Sequence, residues 1–233
     1  MQAIVLAGGL GTRLRGVVPD LPKPMAPVAG RPFLEWILDR LVDARFDAAV
    51  LAVGYRHEAI RDHFGDRYRG MPLRYSVEDR PLGTGGAIRL ASGQVEADPL
   101  FVLNGDTYLE VDYRAMLAAH VAAAASMTMA VHRVADVARY GALDVRDGRV
   151  CGFVEKGTAG GGLINAGTYL LSRRVLDRLP ADRACSFEQD LLVPEVQAIR
   201  PLAFAAEGLF IDIGVPEDFA RAQDLFARRA ADT

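Results

Sequence analysis

An α/β fold on a doubly wound, mixed but mostly parallel sheet is predicted by three observations. Short apolar runs recur between amphipathic segments over the first 134 residues. Several of these runs end in Gly, Asn or Asp, as strands do at the rim of a parallel sheet. The runs are nearly continuous in apolar residues rather than alternating, as expected of strands covered on both faces.

The elements follow in order. Ala3 to Leu6 reads as the first strand and Phe33 to Ala44 as an amphipathic helix with Phe33, Trp36, Ile37, Leu38, Leu41 and Val42 near one face. Ala48 to Val53 is a second strand, closed by Gly54-Tyr55. His57 to Phe64 is a helix, with Ile60 and Phe64 spaced four apart. Leu73 to Val77 is a strand, Gly85 to Ser92 a helix and Pro99 to Leu103 a strand. Asp112 to Ala125 is a helix, and Met127 to Val134 the next strand. The Ala-rich stretch from Met116 to Ala130 is broken by His120 and Ser126. It reads as a packed helix running into a strand, not as a membrane span. The second half is α+β in character, with strands at Tyr140 to Asp144, Arg149 to Glu155 and Asn165 to Leu171. The glycine-rich stretch Gly157 to Gly162 is either a lid or a plain hairpin connection. No linker or repeat divides the chain, so one Rossmann-like domain over residues 1–233 is expected.

Composition narrows the class. Hydrophobic residues make up 51% of 233, ample for a core. Lys plus Arg number 27 against 30 acids, a net charge of −3, which argues against a general nucleic-acid binder. Cys151 and Cys185 have no metal-type spacing and suit a reducing compartment. No signal peptide or membrane span is visible, so a cytoplasmic location is expected. His57, His63, His120 and His132 show no metal pattern. Arg173-Arg174 and Arg228-Arg229 read as solvated faces, with a homodimer contact as the alternative.

The densest chemistry follows the first strand: Leu6-Ala7-Gly8-Gly9-Leu10-Gly11-Thr12-Arg13-Leu14, then Pro22-Lys23-Pro24. Glycines leave backbone N–H groups free to approach phosphates, and Arg13, Arg15 and Lys23 supply positive charge. A P-loop is excluded because no Lys follows Gly11. The dinucleotide fingerprint fails at Leu14, which counts against an NAD-dependent oxidoreductase. Pro81-Leu82-Gly83-Thr84-Gly85-Gly86-Ala87 is a second such turn, opening a helix. Leu103-Asn104-Gly105-Asp106 ends a strand with a carboxylate, and Asp212 sits between Ile211 and Ile213, where an ionised acid needs a partner. Asp106 and Asp212 together make a reasonable Mg²⁺ site completed by phosphates and water.

These motifs, in this order, resemble the sugar-1-phosphate nucleotidyltransferases from residue 2 to about residue 225. The resemblance implies the nucleotide-diphospho-sugar transferase fold, a nucleoside triphosphate and a sugar 1-phosphate as substrates, and Mg²⁺ as cofactor. It implies nucleotide binding by Leu6, Ala7, Gly8, Gly9, Gly11, Thr12, Arg13, Glu78, Gly83, Thr84 and Gly105. It places the sugar and its phosphate at Tyr140, Gly141, Glu155, Lys156, Asn165 and Gly167. Arg13, Lys23 and Asp106 take the catalytic roles, and Asp106 and Asp212 the metal. The N-terminal motif, with Pro22-Lys23-Pro24-Met25-Ala26-Pro27, looks closest to the D-glycero-D-manno-heptose 1-phosphate guanylyltransferases, which make GDP-heptose for surface polysaccharide and capsule. The short chain, without a C-terminal β-helix extension, argues against the bifunctional acetyltransferase type, which is therefore not expected. Mannose-1-phosphate guanylyltransferase, and uridylyl or thymidylyl transfer to a hexose or N-acetylmuramate 1-phosphate, stay open as alternatives. So does a non-catalytic nucleotide-sensing module.

Overall fold

The computed structural model describes residues 1–9, 21–154 and 160–231. From the N-terminus come β1 (Gln2–Leu6), a 3-10 turn (Lys23–Met25), the short pair β2 (Pro27–Val28) and β3 (Arg31–Pro32), α1 (Phe33–Asp43), β4 (Ala48–Val53) and α2 (His57–Phe64). Then follow β5 (Arg67–Tyr68), β6 (Met71–Val77), α3 (Gly83–Ser92), β7 (Leu100–Asn104), β8 (Thr107–Leu109), α4 (Tyr113–Ala122) and β9 (Met127–Val134). The second half holds β10 (Ala142–Arg146), β11 (Arg149–Val154), β12 (Gly162–Leu171), α5 (Arg173–Leu176), α6 (Val193–Ile199), β13 (Leu202–Ala205), β14 (Phe210–Asp212) and α7 (Pro216–Ala231).

One ten-stranded sheet carries the order β10-β11-β13-β9-β12-β7-β1-β4-β6-β5. β7, β1, β4 and β6 are mutually parallel, and β13 is parallel to β9. β12 is antiparallel to both β7 and β9, so those two point the same way. The sheet is therefore mixed but mostly parallel, as the apolar runs predict.

Strand alternation separates two cores. Ala3, Val5, Ala49, Leu51, Phe101 and Leu103 face one layer, with Phe33, Leu34 and Leu38 of α1, Ile60 of α2 and Phe226 of α7. Ile4, Val50, Ala52, Leu100 and Val102 face the other, with Ala87 and Ile88 of α3, Val175 of α5 and Val196 of α6. Helices on both faces make the sheet doubly wound. The chain steps outward from β1 through β4 to β6, then crosses through α3 to β7 on the other side of β1. Such a reversal opens a crevice at the carboxyl ends of the strands.

Several boundaries differ from expectation for local reasons. α4 starts after Asp112, whose side chain accepts from the N–H groups of Arg114 and Ala115 (both 3.0 Å) and caps the helix. Tyr140 lies in a turn, its N–H donated to Val137 O (3.0 Å), and β10 begins at Ala142. β11 and β12 are not neighbours in the sheet, so the chain from Gly157 to Gly162 is not a hairpin connection. Residues 157–159 of that stretch lie outside the described residues. Arg173 and Arg229 are not simply solvated. The Arg173 guanidinium donates to the carbonyls of Ser92 and Val95, and Arg229 pairs with Glu110.

Candidate active site

Two adjoining cavities occupy the carboxyl-end rim. The first, of about 310 Å³, is lined by Leu6, Gly8, Gly9, Lys23, Glu78, Gly83, Thr84, Asn104 and Asp106, among others. These come from the ends of β1, β6 and β7, the first turn of α3 and, for Lys23, the 3-10 turn. Gly105 makes the β1–β7 approach possible. Its N–H donates to Leu6 O (2.9 Å), and a Cβ there would lie 2.4 Å from the same oxygen. The stitch turns the chain sharply after Asn104 and brings Asp106 to the rim.

Lys23 reaches Asp106 from a rigid mount. Pro22 and Pro24 restrict the backbone on either side, and the 3-10 turn is closed by Met25 N–H on Pro22 O (2.8 Å). The Lys23 side chain is 14% exposed, and its Nζ sits 2.5 Å from an Asp106 carboxylate oxygen. A flexible lysine is thereby directed at one point.

The second carboxylate arrives through the β8–β14 ribbon. Asp212 pairs across from Thr107, and Ile213 N–H donates to Asp106 O (3.0 Å). Burial pushes the Asp212 carboxyl above its ordinary range, and the Asp106 charge adds to the shift; Lys23, the Gly214 N–H (2.6 Å) and Arg139 oppose it. An acid with these surroundings gains from a cation. Two hard oxygen donors on facing strands suit an ion that takes one or two carboxylates and fills its shell with phosphate oxygens. Among the described residues no group of three or more His, Cys, Asp or Glu gathers into an all-protein cage.

The second cavity, of about 200 Å³, is lined by Asn104, Thr107, Arg139, Tyr140, Asn165, Gly167, Tyr169, Glu188, Phe210 and Asp212, with Gly214 and Val215. Asn104 borders both cavities. The bulge in β12 shapes the wall: the register shifts between Asn165 and Tyr169, and Gly167 has φ +69°. A Cβ on Gly167 would lie 2.7 Å from Asn104 Nδ2, so the glycine serves the closeness of β12 to β7. Asn165 is held at both ends, Oδ1 accepting from Gly167 N–H (3.1 Å) and Nδ2 donating to Tyr169 OH (2.7 Å).

The sequence-derived residues divide accordingly. Leu6, Gly8, Gly9, Lys23, Glu78, Gly83, Thr84 and Asp106 line the first cavity; Tyr140, Asn165, Gly167 and Asp212 line the second. Ala7, Gly105 and Gly141 line neither. Ala7 is buried with its N–H on Ala52 O (2.8 Å), and Gly141 donates to Val137 O (2.9 Å), so both act in the backbone frame. Gly11, Thr12, Arg13, Glu155 and Lys156 lie outside the described residues. Asn104, Thr107, Arg139, Tyr169 and Glu188 line the site without having been singled out as contacts. Asn104 adjoins a recognised motif, whereas Glu188 has no local signal because only tertiary packing brings it in.

Glu78 is half-buried, and desolvation raises its pKa against one supporting N–H, that of Leu82 (3.1 Å). Its remaining acceptor capacity faces the first cavity.

The nucleotidyl transferase family model matches residues 2–229. D-glycero-alpha-D-manno-heptose 1-phosphate guanylyltransferase of Aneurinibacillus thermoaerophilus is 42% identical over 223 residues, covering 96% of this chain and 97% of that protein. Mannose-1-phosphate guanylyltransferase of Mycobacterium tuberculosis is 35% identical over 227 residues, 95% of this chain and 63% of its own length. The crystal structure of HddC from Yersinia pseudotuberculosis complexed with GMP-PN superposes with a TM-score of 0.86 at 40% identity, covering 97% of this chain and 99% of that one.

Proposed function

The chain belongs to the nucleotidyl transferase family, and on that footing we propose that it transfers GMP from GTP to D-glycero-D-manno-heptose 1-phosphate, releasing pyrophosphate and forming GDP-heptose. The observation that carries the reading is the pair of adjoining cavities, with Lys23, Asp106 and Asp212 at their junction and Asn104 in both walls. A reaction between two anionic substrates needs two pockets meeting at a charged centre. The names of the similar proteins favour guanylyl transfer to a heptose phosphate, with mannose 1-phosphate as the second reading.

A sugar-phosphate oxygen attacks the α-phosphorus of GTP, one P–O bond forms, and the bond to the pyrophosphate oxygen breaks. The nucleophile is already anionic near neutral pH, so no strong base is needed. Positioning and charge stabilisation are the main tasks. The Gly8 to Thr12 backbone cradles the triphosphate, and Arg13 stabilises the departing pyrophosphate. Lys23, now on Asp106, turns to the α-phosphate when the nucleotide enters. Asp106 and Asp212 would hold Mg²⁺, which when bound supplies positive charge to the phosphate oxygens. Glu78 accepts hydrogen bonds from the base. Lys156 draws in the sugar phosphate, while Glu155, Asn165 and Tyr140 border the sugar.

No helix among the described residues is long and apolar enough to cross a membrane. Use of a nucleoside triphosphate supports a cytoplasmic site of action. Pyrophosphate release measured with GTP and heptose 1-phosphate tests the proposal.

A further inference from the structure

We infer that Glu188 selects the acceptor sugar by accepting hydrogen bonds from its hydroxyls, and that the turn beneath the nucleotide holds it in place. The inference rests on the sugar-phosphate reading of the second cavity.

Several polar side chains of that cavity are already engaged. Asn165 Oδ1 is taken by Gly167 N–H, and Tyr169 OH receives Asn165 Nδ2. Thr107 Oγ1 donates to Asp106 (3.3 Å), and Asp212 Oδ1 accepts from Gly214 N–H (2.6 Å). Arg139 pairs with Asp218 and donates to Tyr140 OH (2.6 Å). Glu188 differs. Its carboxylate is half-buried in the wall, and its one hydrogen bond among the described residues is from its neighbour Gln189, long at 3.3 Å. A carboxylate accepts on both oxygens and donates nothing. A hydroxyl-rich ligand supplies the donors that this wall lacks partners for.

Glu188 is also fixed from the nucleotide side. Cys185 N–H donates to Leu82 O (2.8 Å), Gly85 N–H to Cys185 O (2.9 Å) and Phe187 N–H to Thr84 Oγ1 (2.9 Å). The buried Phe187 ring packs edge-on against Tyr169, with centroids 5.0 Å apart. Residues 82–85 thus carry Gly83 and Thr84 to the first cavity and, through this brace, Glu188 to the second. Glu188 opens a π-helical turn, Glu188–Leu192, a distortion often found at functional positions.

The test is steady-state kinetics of wild type, Glu188→Gln and Glu188→Ala, using the substrate pair that wild type turns over best and single-hydroxyl deoxy analogues of that sugar 1-phosphate. The expected result is a loss of about 10- to 100-fold in kcat/KM for the sugar phosphate, carried by its KM, with the KM for the triphosphate within about 2-fold. At least one deoxy analogue that wild type rejects should be rejected far less by the variants, because the lost hydroxyl and the lost carboxylate are one interaction. Wild-type kinetics in Glu188→Gln would overturn the assignment. So would equal rises in both KM values, which mark a structural role. Should Glu188→Ala fail to fold, the isosteric Glu188→Gln decides. A wild type silent with every pair would defeat the underlying reading and this inference together; an active wild type with an indifferent Glu188→Gln would defeat this inference alone.

Discussion

Asp106 and Asp212, more than a hundred residues apart in sequence, are tied together by backbone: Ile213 N–H donates to Asp106 O at 3.0 Å, and Asp212 pairs across from Thr107. The side chains therefore share one corner without depending on each other's rotamers. Their repulsion is built into the frame, and it acts with burial to raise the Asp212 pKa, against Lys23, the Gly214 N–H and Arg139.

Asp212→Asn should accordingly separate stability from activity. Removing a buried charge that repels Asp106 should raise the melting temperature of the ligand-free protein by about 2–4 °C. Turnover should fall about 10²- to 10³-fold. Calorimetry and pyrophosphate release measure the two; a lower melting temperature would show that the ionised carboxylate is held favourably.

Arg13→Ala and Lys23→Ala should each reduce turnover by about 10²- to 10³-fold with circular dichroism unchanged. Lys23 is placed for this by the proline-flanked turn and its contact with Asp106. Near wild-type rates in either variant would remove it from the catalytic group.

Glu78→Gln should change base preference. Guanine offers N1–H and an amino group to one carboxylate, whereas uracil offers a single N–H. The variant should lose about 10- to 100-fold in kcat/KM for GTP and much less for UTP. Equal losses with both triphosphates would mean that Glu78 supports the turn at Leu82 and reads no base.

His120 should give stability a pH dependence. Its ring is buried, with Nδ1 2.8 Å from Thr128 Oγ1, and burial holds its pKa below the ordinary 6.5. The unfolded chain then takes up the proton first. Its contribution to stability is intact above about pH 6.5 and declines as pH falls toward and through the folded-state pKa. Urea unfolding at about pH 7.5 and about pH 5.5 should show a smaller loss on acidification in His120→Gln than in wild type. Identical losses would contradict the sign.

Much of the architecture was legible because it rests on local pattern. The apolar runs of β1, β4 and β7 and the four-residue spacing of Ile60 and Phe64 in α2 are recorded in short windows of sequence. The site was legible where a motif follows a strand, as at Gly8 and Asp106, or opens a helix, as at Gly83-Thr84. Elements after residue 172 were harder. β13 inserts between β9 and β11 through long-range pairing, and α5 is only four residues long. Ala7, Gly105 and Gly141 look like ligand contacts in sequence but spend their N–H groups on neighbouring strands and turns. Glu188 enters only because residues 185–187 bond to the first turn of α3.

In the proposed reaction two mutually repelling phosphate esters meet between these cavities. Pyrophosphate release from GTP, ATP, UTP and dTTP, each paired with heptose, mannose, glucose and N-acetylmuramate 1-phosphates, decides whether they do. Fast turnover confined to GTP, and highest with heptose 1-phosphate, is the predicted result; a preference for UTP or dTTP, or no release with any pair, would contradict it.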